Sequence, residues 1–161
     1  MIADLNFELP AHAHNRQDAI RCTYEYADFI RQFTDSLTVP KEAYPDGITV
    51  LSPIETWSDD FSMAIAGIPS TVNDFSAGPF MQNYYHSQYD NQDVYQEAVY
   101  QFHHECYLKL IMAIDRLVLP PMNFSNTMNA VAESIHENAL SFADPEQNVC
   151  LLYTSDAADD K

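Results

Sequence analysis

Apolar residues recur along the chain with two different periods, one typical of strands and one typical of helices. Three short apolar or alternating runs, each with a proline or glycine nearby, predict strands at residues 2–8, 48–51 and 68–72. Three longer stretches repeat apolar residues every three or four positions and predict helices at residues 18–37, 94–118 and 125–140. A cap at Ser58 or Asp59 and a stop at Gly67 predict a further short helix at residues 59–66. Because predicted strands alternate with predicted helices, we expect an α/β layered domain.

The longest predicted helix ends at a double proline, which is the best candidate for a domain boundary. Pro120 and Pro121 cannot continue the helix, because proline lacks the backbone N–H and clashes with the preceding turn. Residues 73–93, rich in polar and aromatic side chains, are predicted to form a loop. We therefore expect a main domain at residues 1–119 and the start of a helical domain at residues 120–149.

The two ends of the sequence do not look like natural domain ends. The opening run IADLNFEL predicts an interior strand without a polar leading segment, so we expect the natural chain to begin upstream of Met1. The run CLLYTSDAADD matches the translation of a common sequencing adapter. Residues 150–161 are therefore expected to be an artefactual tail and carry no weight in the fold prediction.

Charge and hydropathy narrow the range of partners. Seven basic and 24 acidic residues give a formal net charge of -17, which disfavours nucleic acid and anionic membranes. A solvated acidic surface is the main interpretation of this charge, and a preference for cationic ligands is the alternative. No apolar run approaches the roughly 20 residues that a membrane-spanning helix needs. Cys22 and Cys106, far apart in the sequence, are expected to be buried small side chains.

Histidines are the main candidates for chemistry, since the familiar HExxH, GxSxG, P-loop, GxGxxG and CxxC patterns do not occur. His103 and His104 are adjacent on the long helix and point in different directions, which predicts structural roles. His12 and His14 form an HxH pair after a strand, a weak indication of metal binding. His86 follows the strand that begins at Ile68, where functional groups gather in α/β sheets, although packing among tyrosines is the alternative.

Several short motifs around His86 resemble one known family. The order SDDF, AGIPS, YHSQYD and a long helix ending in LVLP is similar to the second half of the catalytic domain in the glutamate carboxypeptidase and transferrin-receptor group of zinc aminopeptidase-like proteins. The resemblance covers about residues 2–140 and is most specific in YHSQYD and AGIPS. It implies the C-terminal part of a three-layer α/β zinc-peptidase domain, followed by the start of a helical dimerisation domain.

The resemblance implies roles for three residues. His86 matches the histidine that binds one of two zinc ions, and Tyr85 matches the tyrosine that stabilises the tetrahedral intermediate. Glu8 matches the carboxylate ligand of the other zinc ion. The family has an Asn-x-Asp pattern at that point, so the glutamate of DLNFE is a departure that adds one methylene.

Two further aspartates are implied as supporting residues. Asp59 and Asp60 are expected to cap the short helix, although the same stretch approaches the substrate pocket in this family, so that Asp59 could meet a substrate amine. Asp90 is a candidate partner for the second ring nitrogen of His86, or a loop or cap residue. The family's His-x-Asp and Glu-Glu segments, which hold the other ligands and the general base, would precede Met1.

These expectations predict that the intact protein is a zinc-dependent exopeptidase, aminopeptidase or glutamate-carboxypeptidase-like, which hydrolyses terminal peptide bonds with a zinc-activated water. This chain alone is expected to be inactive. The alternative is a catalytically inactive relative that uses the fold for binding and dimerisation, as the transferrin receptor does. An unrelated α/β domain with a structural histidine is a third possibility. The resemblance further implies a homodimer through the helical domain and a secreted or cell-surface location.

Overall fold

The computed structural model describes residues 3–8, 11–12, 15–74 and 79–135, and this part of the chain has an α/β fold. Two short 3-10 helices lie at Tyr24–Tyr26 and Gln92–Val94. The strands are β1 (Asp4–Asn6), β2 (Asp18–Cys22), β3 (Ile48–Leu51) and β4 (Ser70–Asn73). The α-helices are α1 (Ala27–Asp35), α2 (Phe61–Ile65), α3 (Pro79–Asn83), α4 (Glu97–Asp115) and α5 (Phe124–Ser134). The predicted α/β class is confirmed at this level.

The described strands form one mixed sheet in the order β1-β4-β2-β3. β1 pairs with β4 in parallel and β2 pairs with β3 in parallel, whereas β2 and β4 are antiparallel with Arg21 opposite Val72. Because β1 and β4 run in the same direction, their carboxyl ends meet at one end of the sheet. The residues that follow these two strands, including Glu8 and Asp74, are thereby brought together.

The prediction of a helix over residues 18–37 is wrong for its first part. Residues 18–22 form β2, which lies between β4 and β3 and is almost entirely buried. The spacing of Ile20, Tyr24 and Ala27 fits a helical face, but Asp18, Ile20 and Cys22 also alternate as a strand requires. Pairing with a neighbour on each side stabilises the strand, and α1 begins only at Ala27.

The other predicted elements are present, most of them with different bounds. The strand at residues 48–51 is confirmed as β3, and the predicted strand at residues 68–72 corresponds to β4. The long helix is confirmed but begins later, at Glu97, and ends at Asp115. The predicted loop at residues 73–93 contains the five-residue α3. Residues 136–140 of the last predicted helix lie outside the described residues.

The core joins one face of β2 to α1 and α4. Its buried members are Ile20, Cys22, Tyr26, Ala27, Ile30, Phe33, Cys106, Leu110 and Ile114. Both cysteines are buried free thiols, as predicted, and burial raises the pKa of Cys22 to about 11 and that of Cys106 to about 12. His103 is also buried, with its Nε2 atom 3.0 Å from the hydroxyl of Tyr44 and 3.5 Å from Oδ1 of Asp18.

The chain divides into two compact units, Met1–Asn126 and Thr127–Lys161. The first unit contains the sheet and continues past the double proline at which the domain boundary was predicted. In the second unit, the described residues are the remainder of α5 and Ile135, and none of the residues of α5 is buried. The predicted tail at residues 150–161 lies outside the described residues. No described helix combines the length and the hydropathy needed to cross a membrane.

Candidate functional site

A cleft of about 450 Å³ in the first unit lies where the carboxyl ends of β1 and β4 meet. Of the five residues that the sequence predicts for the site, four line this cleft: Glu8, Asp59, Tyr85 and His86. They come from three separate segments, namely the end of β1, the connection between β3 and α2, and the turn that follows α3. The fold therefore brings together side chains that are far apart in sequence.

Glu8 is held at the end of β1 by hydrogen bonds to its side chain and its backbone. The amide of Asn6 donates to Oε1 of Glu8 at 2.7 Å. The Oδ1 atom of Asn73 accepts from the backbone N–H of Glu8 at 2.5 Å, and the amide nitrogen of Asn73 donates to the backbone carbonyl of the same residue. The Tyr107 hydroxyl donates to that carbonyl at 3.1 Å. The Asn73 side chain thus bonds the backbone of Glu8 just beyond β1, as a neighbouring strand would. These bonds fix the position of the backbone that carries the Glu8 carboxylate.

The turn after α3 presents Tyr85 and His86 to the cleft. Their rings are stacked, with centroids 3.9 Å apart and planes inclined by 16°. The backbone of His86 has φ +54°, in the left-handed region that residues other than glycine rarely adopt. Phe80 is buried, and its backbone carbonyl accepts from the N–H groups of both Tyr84 and Tyr85, which holds the turn against α3. Strained backbone of this kind is concentrated at functional sites.

Asp59 and Asp60 differ in environment although they are adjacent. Asp59 is exposed and lines the cleft, whereas Asp60 is 3% exposed and occupies the N-cap position of α2 without making a side-chain cap hydrogen bond. The Asp60 carboxylate instead accepts from the Ser58 hydroxyl at 2.6 Å and from the amide of Asn6 at 3.3 Å. Burial, followed by the negative charge of Asp60, raises the pKa of Asp4 above its usual value of 3.8. Asp60 therefore links the Asp59 segment to β1.

Arg21 is a cleft residue that the sequence prediction missed. Its guanidinium contacts Oδ2 of Asp74 at 2.9 Å and Oε1 of Glu55 at 3.2 Å, and donates to the carbonyl of Pro53 at 2.9 Å. Arg21 lies within β2, in the segment predicted as helix, so its direction could not be anticipated. Asp74 could have been found, because it directly follows β4 and the rule that selected His86 applies to it equally.

Asp90 does not line the cleft with His86. Its Oδ1 atom lies 3.2 Å from Nδ1 of His12, so its described contact is with that histidine. The ring of His12 also packs against Phe80, with centroids 5.6 Å apart. His14, the other half of the HxH pair, lies outside the described residues. The structure therefore connects the HxH segment with the YHSQYD segment, but through His12 and Asp90 rather than through His86.

The donors in the cleft meet only part of what a catalytic zinc site requires. Glu8 and His86 supply a carboxylate and an imidazole, which are both common zinc ligands, whereas each catalytic zinc ion needs about three protein ligands. In the part of the chain that the structure describes, no group of three or more His, Cys, Asp or Glu side chains is arranged to hold a metal ion. Glu8 and His86 therefore fit zinc as part of a ligand set, and further ligands would be needed to complete the site.

Comparison with known proteins assigns no family and no function to this chain. No protein-family model matches the chain, and no curated protein and no solved structure matches it. Function is therefore inferred from the side chains of the cleft and from the sequence motifs that they carry.

Proposed function

We propose that this chain is the C-terminal part of a zinc-dependent exopeptidase, of the aminopeptidase or glutamate-carboxypeptidase-like kind, and that the cleft is its share of the active site. One observation carries the proposal: Glu8 and His86, assigned by motif to two different zinc ions, line the same cleft. Tyr85 and Asp59, assigned by the same motifs to the intermediate and to the substrate, line it as well. An unrelated fold with a structural histidine gives no reason for these four side chains to converge.

The roles of the four side chains follow from their chemistry. When bound, two zinc ions would polarise the scissile carbonyl and make hydroxide available near neutral pH. Glu8 and His86 would each supply one ligand, and the hydrogen bonds around Glu8 would hold its carboxylate in a defined position. The Tyr85 hydroxyl would donate a hydrogen bond to the developing oxyanion. Asp59 would accept from an amine of the substrate, either at its terminus or in its side chain.

Zinc binding is the experiment that tests the proposal. With a partial ligand set, we expect this chain to bind zinc weakly and to hydrolyse no measurable peptide. Competition with a chromogenic chelator should show that His86→Ala and Glu8→Gln each weaken zinc binding about 10-fold or more. His104→Ala is the matched control, because His104 is an exposed histidine on α4 and is expected to leave zinc binding unchanged. Equal zinc affinity in all four proteins would exclude the proposed ligands.

The intact protein provides the second half of the test. There, the remaining ligands and the general base would come from residues outside this sequence. We expect zinc-dependent release of terminal residues from peptides, lost with chelators and in the His86→Ala variant. Tyr85→Phe should lower kcat while leaving zinc content unchanged, because the hydroxyl would act on the intermediate and not on the metal.

A second candidate is a catalytically inactive relative that binds partners and dimerises. The observation that favours it is the apolar surface of α5, where Phe124, Met128 and Val131 are exposed. An inactive relative has no need of a carboxylate, an imidazole and a phenol in one cleft, so we place it second. Zinc-independent dimerisation without peptidase activity in the intact protein would reverse this order.

A further inference from the structure

One wall of the cleft has the chemistry of a cation-binding surface. Glu55, Trp57 and Asp59 alternate along the connection between β3 and α2, and all three line the cleft. Trp57 is 56% exposed, which is high for the largest aromatic side chain. Two carboxylates and a largely exposed indole therefore line the same cleft.

The charges in the cleft are unbalanced towards the negative. Among the residues that the structure describes, its lining contains four carboxylates, those of Glu8, Glu55, Asp59 and Asp74, and a single guanidinium, that of Arg21. Arg21 contacts both Glu55 and Asp74, so its one positive charge is already shared between two carboxylates. The whole chain has a net charge of the same sign, which reinforces attraction of a cation into the cleft.

A site that combines an indole ring with carboxylates favours a cationic ligand. Tryptophan is the best aromatic partner for a cation, and guanidinium groups stack on aromatic faces while they bind carboxylates with two parallel hydrogen bonds. An acidic ligand would meet the opposite: it would be repelled by the four carboxylates, and Arg21 is already engaged by two of them.

We propose that Glu55, Trp57 and Asp59 form the pocket for a basic side chain. The cleft would then bind peptides in which the residue that enters this pocket is arginine or lysine. This inference rests on the proposed function, because it names the substrate class of the same cleft. It distinguishes this chain from a peptidase that selects acidic residues.

The molecule carries its own reporter for this test, since Trp57 is the single tryptophan of the chain. Argininamide and citrullinamide have the same length and the same α-amine, but only argininamide has a charged side chain. We expect argininamide to change the fluorescence of Trp57 in a saturable way, with an affinity about 10-fold higher than that of citrullinamide. Added salt should reduce the difference, because the carboxylates lie on an open surface.

Neutral variants identify the carboxylates that are responsible. Asp59→Asn and Glu55→Gln keep the shape of the side chain and should each lower the preference for argininamide at least 3-fold. Glu42→Gln is the matched control, an exposed glutamate away from the cleft, and should retain the full preference. Far-UV circular dichroism and urea unfolding establish that each variant is folded before it is titrated.

Two results would overturn the pocket: equal affinities for argininamide and citrullinamide, or the same preference in Asp59→Asn, Glu55→Gln and Glu42→Gln. These titrations contain no zinc and are therefore independent of the peptidase proposal. Preference for argininamide without zinc binding that depends on His86 would support the pocket and overturn the peptidase. Zinc binding that depends on His86, without any preference for argininamide, would do the reverse.

Discussion

Glu8 and His86 line the same cleft, but the two sides on which they lie are held by different interactions. On the strand side, Glu8 is fixed by hydrogen bonds with Asn6, Asn73 and Tyr107, which lie on β1, β4 and α4. On the loop side, His86 stacks on its neighbour Tyr85 and has a left-handed backbone. The strand side therefore depends on contacts between distant parts of the chain, whereas the loop side depends on local geometry.

The two sides contribute to the stability of the fold in opposite ways. Long-range hydrogen bonds to a partly buried backbone stabilise the fold and position the carboxylate at the same time. A left-handed histidine does the opposite, since the conformation costs free energy that the surrounding structure must offset. Removing a side chain that makes these hydrogen bonds on the strand side should lower the stability of the fold, whereas glycine at the left-handed position on the loop side should be more stable than alanine there.

The largest effect is expected for Asn73→Ala. Asn73 is 4% exposed, and its amide satisfies both the N–H and the carbonyl of Glu8. Loss of these two bonds should lower the free energy of unfolding by about 2–3 kcal/mol, measured by urea denaturation. Asn83→Ala is the matched control, because Asn83 is exposed on α3, and should cost less than about 0.5 kcal/mol. Similar losses in both variants would show that the strand side is not held as described.

An intermediate effect is expected at His86. Glycine adopts the left-handed region without the steric cost that alanine has, so His86→Gly should be more stable than His86→Ala by about 1 kcal/mol. Both variants lack the ring stack on Tyr85, so the comparison isolates the backbone. Thermal unfolding followed by circular dichroism provides the measurement.

Gln88 is the control for the expected order of stability, glycine above alanine. In the described part of the chain, His86 is the only residue other than glycine with a positive φ, so Gln88 does not have the left-handed backbone. At Gln88, exposed in the same turn region, glycine should be less stable than alanine by up to about 1 kcal/mol. If alanine were also the more stable residue at position 86, the strain on the loop side would be absent in solution.

The smallest effect is expected for Asp4→Asn on the strand side. Burial and the charge of Asp60 raise the pKa of Asp4 in the folded protein above its ordinary value of 3.8, so ionised Asp4 destabilises the fold at neutral pH. Asparagine removes this cost and should raise Tm at pH 7. The gain should shrink as the pH falls through the raised pKa of folded Asp4 and should disappear well below the ordinary pKa of 3.8, where Asp4 is protonated in both the folded and unfolded chain.

Asp35→Asn serves as the comparison for this pH dependence, because Asp35 is an exposed carboxyl on α1. Differential scanning fluorimetry at several pH values is sufficient. A gain in Tm that is the same at pH 7 and at pH 3.5, or one that Asp35→Asn reproduces, would contradict the described interaction between Asp4 and Asp60.

Elements with clear boundaries could be predicted from the sequence, and elements that depend on neighbours could not. Gly47 and Pro53 flank Ile48–Leu51, so both ends of β3 were marked and its bounds were predicted correctly. Residues 18–22 fit both a helix and a strand, and only pairing with β3 and β4 decides between them. The helix α3 was missed because five residues are too few to show a period.

The residues of the cleft also divide into those that local sequence marks and those that depend on distant parts of the chain. Tyr85 and His86 lie in one short motif, so the sequence alone singled them out. Asn73 was missed, because its role depends on Glu8, which is 65 residues away in the chain. Arg21 was missed for a related reason: the prediction of a helix at that point left no basis for placing its side chain beside Asp74.

The position of β1 at the edge of the sheet, paired only with β4 among the described strands, has a consequence for folding. During synthesis, β1 cannot pair with its partner strand until residues 70–73 are available. Contacts between such distant residues form late, because a long loop must close first. We therefore expect partly folded chains to form the core around α1 and α4 before β1 pairs and positions the Glu8 carboxylate. A ligand that needs this carboxylate would then bind only fully folded molecules.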